Sequence, residues 1–124
     1  MKREHGNTGI APVPSVQTLM NCGGKGQGCY GGDAGTAYSW IAENGLPDSS
    51  CMPYIAKKLN CTALNTCRNC FPTTQTIESC VAVTDYPKIG VAEYGEVHTD
   101  LELMAEVYER GPVVCAVNAE AMLA

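Results

Sequence analysis

Long apolar runs are missing from this chain, and basic charge is scarce. No stretch approaches the roughly 18–20 consecutive apolar residues of a membrane-spanning helix, so no membrane span is expected. Met1-Lys2-Arg3 has the positive start of an export signal. Only Gly6-Asn7-Thr8-Gly9-Ile10-Ala11-Pro12 follows, without the apolar segment such a signal needs. Eight Lys and Arg stand against thirteen Asp and Glu, a net charge of −5. That balance excludes a surface built to neutralise many phosphates, and nucleic acid is not an expected partner. Residues 1–62 sum to +1 and residues 63–124 to −6, so the second half supplies the acidity. No internal repeat is visible.

What the chain does have is cysteine, eight in 124 residues, with thirteen glycines and seven prolines to interrupt regular structure. A hydrophobic content of 45% is enough for one ordinary domain. An even cysteine count spread from Cys22 to Cys115 reads as disulfides formed in an oxidising compartment, and the lack of an export signal conflicts with that. Either the thiols are reduced, or these residues are part of a longer chain; the second is the expectation here.

Ser15 is placed to cap a short helix whose Val16, Leu19 and Met20 have the spacing of one buried face. Six glycines between residues 23 and 32 make a backbone-exposing loop. Asp33 is the N-cap of a helix through Asn44, with Ala34, Ala37, Tyr38, Ile41 and Ala42 on one stripe and Gly45 as its stop. Residues 48–80 hold five cysteines and no sustained period, so covalent links are expected to set their shape. Residues 81–86 alternate toward a strand, residues 89–94 suggest another extended piece, and Val113-Val114-Cys115-Ala116-Val117 reads as a strand. Thr99 and Glu102 form a capping box for a helix to Arg110, with Leu101, Met104, Ala105 and Tyr108 as its apolar face and Gly111-Pro112 as its end.

The most informative local feature is Asn21-Cys22 followed by Gly28-Cys29-Tyr30-Gly31-Gly32. Such glycines serve tight turns. Side-chain-free Gly31 and Gly32 directly before a helix also make a ledge against which an extended peptide can pair through its backbone.

Together with Ser15-Val16-Gln17-Thr18-Leu19-Met20, these residues resemble the segment after the catalytic helix of papain-family cysteine peptidases. Further likenesses are Asn44-Gly45-Leu46-Pro47-Asp48, Cys51, Tyr54, Ala56 and Lys57, the cluster Cys61, Cys67, Cys70 and Cys80, and Met104-Ala105-Glu106-Val107-Tyr108 running into Gly111-Pro112-Val113-Val114-Cys115. The similarity covers roughly residues 14–123, and the cysteine cluster points to the cathepsin X (cathepsin Z) branch. The loop from Cys70 to Cys80 departs from the family by its length.

The resemblance implies an α+β fold, the two-lobed papain architecture. Residues 1–80 would be left-lobe material with a disulfide-rich segment. Residues 81–124 would be the crossover and the first strand of the right-lobe barrel. It implies pairing of Cys22 with Cys61, Cys51 with Cys67 and Cys70 with Cys80, leaving Cys29 and Cys115 unpaired here. The alternative is a zinc knuckle of Cys61, Cys67, Cys70 and Cys80, since Cys67 and Cys70 have chelating spacing, but the second such spacing of zinc ribbons is absent. No metal or cofactor is expected.

By the same resemblance Gly31 and Gly32 hydrogen-bond the substrate backbone, Asp33 and Ala34 line the pocket for its second side chain upstream of the cut, and Gln27 and Gly28 border the next pocket. The family's catalytic Cys, His and Asn match no position here, because the nucleophile precedes the Ser15 helix and the other two follow the Val113 strand. His5 and His98 read as solvated surface groups. The chain is thus expected to be an internal fragment of a peptidase, inactive alone, whose partners are peptide or protein substrates and the rest of the same enzyme. The implied parent is lysosomal or secreted and, in the cathepsin X branch, removes single residues from peptide C-termini. The alternative is a secreted, disulfide-rich, non-catalytic peptide-binding module or pseudoenzyme. Asn60-Cys61-Thr62 is formally a glycosylation acceptor.

Overall fold

The computed structural model describes residues 11–24, 28–71 and 79–120. The chain forms two compact units, Met1–Tyr94 and Gly95–Ala124. His5, Gln27 and the last four residues lie outside the described ones.

In the first unit, α1 spans Val16–Cys22, with the Ser15 hydroxyl accepting from the Thr18 N–H. Its burial inverts the apolar expectation. Val16 is 58% exposed and Leu19 and Met20 are only half-buried, whereas Ser15, Gln17, Thr18 and Asn21 are buried. The physical reason is what covers the helix. Residues 52–66 are mostly irregular backbone, whose N–H and C=O groups must find partners once water is removed. The polar face of α1 supplies them. Ser15 Oγ donates to the Met52 carbonyl at 2.7 Å, Thr18 Oγ1 to the Thr66 carbonyl at 2.8 Å and Asn21 Nδ2 to the Asn65 carbonyl at 2.8 Å.

Three disulfides brace this arrangement: Cys22–Cys61, Cys51–Cys67 and Cys70–Cys80. Each sulfur of the alternative zinc knuckle is thereby in a disulfide, Cys61 with Cys22, Cys67 with Cys51, and Cys70 with Cys80. Met52, Cys67, Leu46, Cys22 and Pro47 form a small core. Around it the chain is tied by single backbone pairings rather than wide sheets. Leu46 and Ile89 exchange both hydrogen bonds, at 2.8 and 2.7 Å, and the Ser15 N–H donates to the Pro47 carbonyl at 2.9 Å. The Asp48 carboxylate accepts from the Val13 N–H and from the Ser50 N–H and hydroxyl. The Ser50 amide, first among these donors, holds its carboxyl below the usual aspartate range.

A short 3-10 turn at Ala63–Asn65 leads into an antiparallel hairpin of β1, Arg68–Phe71, and β2, Ser79–Ala82. Cys70 faces Cys80 in its register. The strand expected over residues 81–86 therefore sits earlier, and β1 lies inside the segment that showed no period. Four residues with alternating half-burial are too few to stand out among cysteines and polar side chains.

The helix α2, Ala34–Asn44, runs between the expected cap and stop. The Asp33 carboxylate accepts from the Thr36 N–H at 2.7 Å, and Gly45 has φ 71°. None of its residues is buried, so the stripe of Ala34, Ala37, Tyr38, Ile41 and Ala42 has little cover among the described residues.

In the second unit, α3 spans Asp100–Arg110 behind a complete Thr99–Glu102 capping box. Its apolar residues Leu101, Met104 and Tyr108 are exposed. The strand expected at Val113–Val117 is not formed. A strand is defined by ladder hydrogen bonds, and no described residue pairs with this segment.

The Glu102 carboxylate accepts from the His98 and Thr99 N–H groups at 2.9 and 3.1 Å. Those two amides, His98 first, depress its pKa. A carboxyl lowered in the folded state stabilises above its unfolded value and loses that contribution as pH falls through the folded value. Circular dichroism should therefore show helicity of α3 falling below the ordinary glutamate range. Glu102→Gln, which keeps the accepting oxygen, should flatten that acid limb. An unchanged limb would remove the capping box as its cause.

Candidate functional site

Gly28 and Gly31 close a tight turn, facing each other as an isolated antiparallel pair. The Gly28 N–H donates to the Gly31 carbonyl at 3.0 Å and the Gly31 N–H to the Gly28 carbonyl at 3.4 Å. Gly31 has φ 118°, a region that penalises any side chain, and a Cβ there would meet nothing within 4 Å. Gly31 is glycine for its conformation, and its outer face is open. Cys29 and Tyr30 form the exposed tip, and Cys29 is a free thiol.

Gly32 comes next and is exposed. The described hydrogen bonds engage both polar backbone groups of Gly31 but neither the N–H nor the C=O of Gly32. One glycine thus makes the turn, and the following one presents a donor and an acceptor on an open rim. Asp33 then caps α2, and the Thr36 backbone amide, the first of its causes, lowers its pKa. Its carboxylate serves the helix N-terminus, and the small, exposed Ala34 opens the first turn. A concavity of about 390 Å³ between Gly23, Gly24 and the Ser39–Trp40 side of α2 does not include Gly31 or Gly32 in its lining. The rim suits an extended chain rather than an enclosed ligand.

The described partners of His98 lie within its own segment. His98 lies 4.0 Å from Glu96, and its backbone N–H goes to Glu102. Neither described partner is a thiol. Cys29 and Cys115 are both free and exposed.

Two features escaped the sequence reading. Gln17 and Asn21, one helical turn apart, form a buried pair that holds the backbone on both sides of Lys58. The Lys58 side chain in turn runs along Gly28, so close that a Cβ at Gly28 would lie 2.9 Å from Lys58 Cδ. The only sequence signal was the Gln-Asn spacing on one face of α1.

Comparison with known proteins gives the family. The papain family cysteine protease model matches residues 5–124. Cathepsin Z of Onchocerca volvulus is 33% identical over 105 residues, covering 85% of this chain and 32% of that protein. Cathepsin B of Dictyostelium discoideum is 28% identical over 103 residues, covering 80% of this chain and 33% of that protein. The chain belongs to the papain family of cysteine peptidases, with an α+β fold. It spans about a third of the length of the curated relatives it matches.

Proposed function

We propose that these residues form the substrate-docking wall of a papain-like cysteine peptidase of the cathepsin X type. The observation that carries the reading is the open backbone of Gly32 beside the Gly28–Gly31 turn. A peptide laid along this rim in extended form can accept from the Gly32 N–H and donate to its carbonyl, as an added strand does. Ala34 leaves room for a side chain beside the rim, and Asp33 fixes α2 beneath it. In this reading residues 1–80 belong to the left lobe and residues 81–124 cross to the right lobe. The thiolate, the imidazole and the asparagine of the reaction are contributed by residues outside these 124. The parent enzyme works in a lysosomal or extracellular setting and releases single residues from peptide C-termini.

Titration of the chain with blocked extended peptides should shift the amide resonances of Gly31, Gly32 and Ala34. Gly32→Pro, which deletes the donor, should abolish those shifts. Peptide binding that leaves the ledge amides unmoved overturns the docking wall. Incubated with peptides, the chain itself should release no product. Turnover that thiol alkylation stops would overturn the placement of the reacting groups. For the gene product that carries these residues in the cell, C-terminal amidation of the substrate should block release. Equal cleavage of acid and amide substrates would exclude the carboxypeptidase assignment.

A further inference from the structure

The loop that brings Lys58 against Gly28 is held on both sides of that lysine. Gln17 Nε2 donates to the Lys57 carbonyl at 2.7 Å, and the Leu59 N–H donates to Asn21 Oδ1 at 2.9 Å. The two holding side chains are themselves joined at 3.0 Å and are 1% and 6% exposed. Lys58 stands between these anchors, and Cys61 ties the loop covalently to the end of α1. The backbone from which its side chain springs is therefore fixed, which removes part of the ordering entropy a surface lysine loses on making an ion pair.

The side chain lies over the turn. A Cβ on Gly28 would meet Lys58 Cδ at 2.9 Å, Nζ at 3.3 Å and Cε at 3.6 Å, so the stem and ammonium occupy space that only a glycine leaves. Gly28 and Gly31 are joined by backbone hydrogen bonds in both directions across the turn. Gly31 is the residue opposite, and its side-chain direction is empty. The turn thus carries a cation beside Gly28 and open space at Gly31. An ammonium has three donors, so a contact with the protein does not exhaust it.

We infer that Lys58 determines specificity at the ledge, favouring peptides that place a carboxylate over the Gly28–Gly31 turn. This rests on the peptide-docking reading of Gly31 and Gly32. The carboxylate is an Asp or Glu side chain or a peptide C-terminus. The two sources are separated by comparing acetylated, amidated peptides bearing Glu or Gln with the Gln peptide carrying a free C-terminus. The carboxylate peptide from the operative source should bind about three-fold tighter than the amidated Gln peptide, the scale of one partly exposed ion pair. Raised salt should close that gap. Lys58→Met should lose the preference, Lys58→Arg should keep it and Lys58→Glu should reverse it, in proteins whose amide spectra show the native fold. Salt dependence in the unmodified chain reads the same interaction should a variant not fold.

Equal binding of all peptides, with the Gly31 and Gly32 amides still perturbed, overturns the role of Lys58 and leaves the ledge standing. A preference that survives in Lys58→Met does the same. Absence of peptide binding removes the ledge and, with it, this inference.

Discussion

Full reduction of the three disulfides should unfold the unit that contains α1, α2 and the hairpin. Cys22–Cys61 closes a separation of 39 residues, Cys51–Cys67 one of 16 and Cys70–Cys80 one of 10. Chain-entropy estimates give about 4, about 3 and somewhat under 3 kcal/mol for loops of these sizes. A domain's whole stability is about 5–15 kcal/mol. The apolar core has little to set against that loss, since Cys22 and Cys67 are themselves two of its few buried members, with Leu46, Met52 and Pro47. The bridges differ in their surroundings. Replacing Cys51 and Cys67 by alanine should cost more than replacing Cys70 and Cys80, because Cys67 is 1% exposed whereas the hairpin is half-buried at most. Urea titrations of the two double variants, beside the oxidised and reduced protein, measure the order. A reduced chain that keeps its amide dispersion would show that hydrogen bonds and packing suffice, and would overturn the dominance given to the bridges.

What could be read from residues alone was whatever is decided within a few positions. Asp33, Gly45, Thr99 and Glu102 mark helix ends through contacts of the residue with its own turn, and those ends lie where the pattern put them. The tight glycine turn was legible for a similar reason: a run of side-chain-free residues before a cap breaks helix and strand alike. Features set by distant partners were not legible. Val16, Leu19 and Met20 have ordinary helical spacing, yet the loop they would have faced needs hydrogen bonds more than apolar cover. β1 is identified by β2 across a ten-residue separation of its cysteines, not by its own four side chains. Val113–Val117 has strand composition without a described partner to make it a strand. Lys58 and Gly28 are brought together by Gln17, Asn21 and Cys22–Cys61, none of which adjoins either residue in sequence.

The inverted face of α1 carries the second large expected effect. Gln17 Nε2 donates to Asn21 Oδ1 and to the Lys57 carbonyl, and Gln17 Oε1 accepts from the Ile55 N–H at 2.9 Å. Gln17→Leu keeps helix propensity and approximate volume but leaves the Ile55 donor and the Lys57 acceptor, both partly buried, without the side chain that pairs with them. At the lower end of about 1–3 kcal/mol for each stranded group, since water reaches both in part, the loss should be about 2 kcal/mol. Val16→Ala, one residue earlier, should lie within about 0.5 kcal/mol of the unmodified chain, because its side chain is 58% exposed. The pair discriminates sharply: were the helix seated on its Val16–Leu19–Met20 side, the alanine variant would be the damaging one and the leucine variant nearly neutral. Denaturant midpoints settle which. Gln17→Leu also frees the carbonyl that anchors Lys58, so any folded fraction should bind peptides while discriminating less between glutamate and glutamine. A leucine variant with undiminished stability would place the strength of the α1–loop contact in the Cys22–Cys61 bridge and Met52 packing instead of in the amide network.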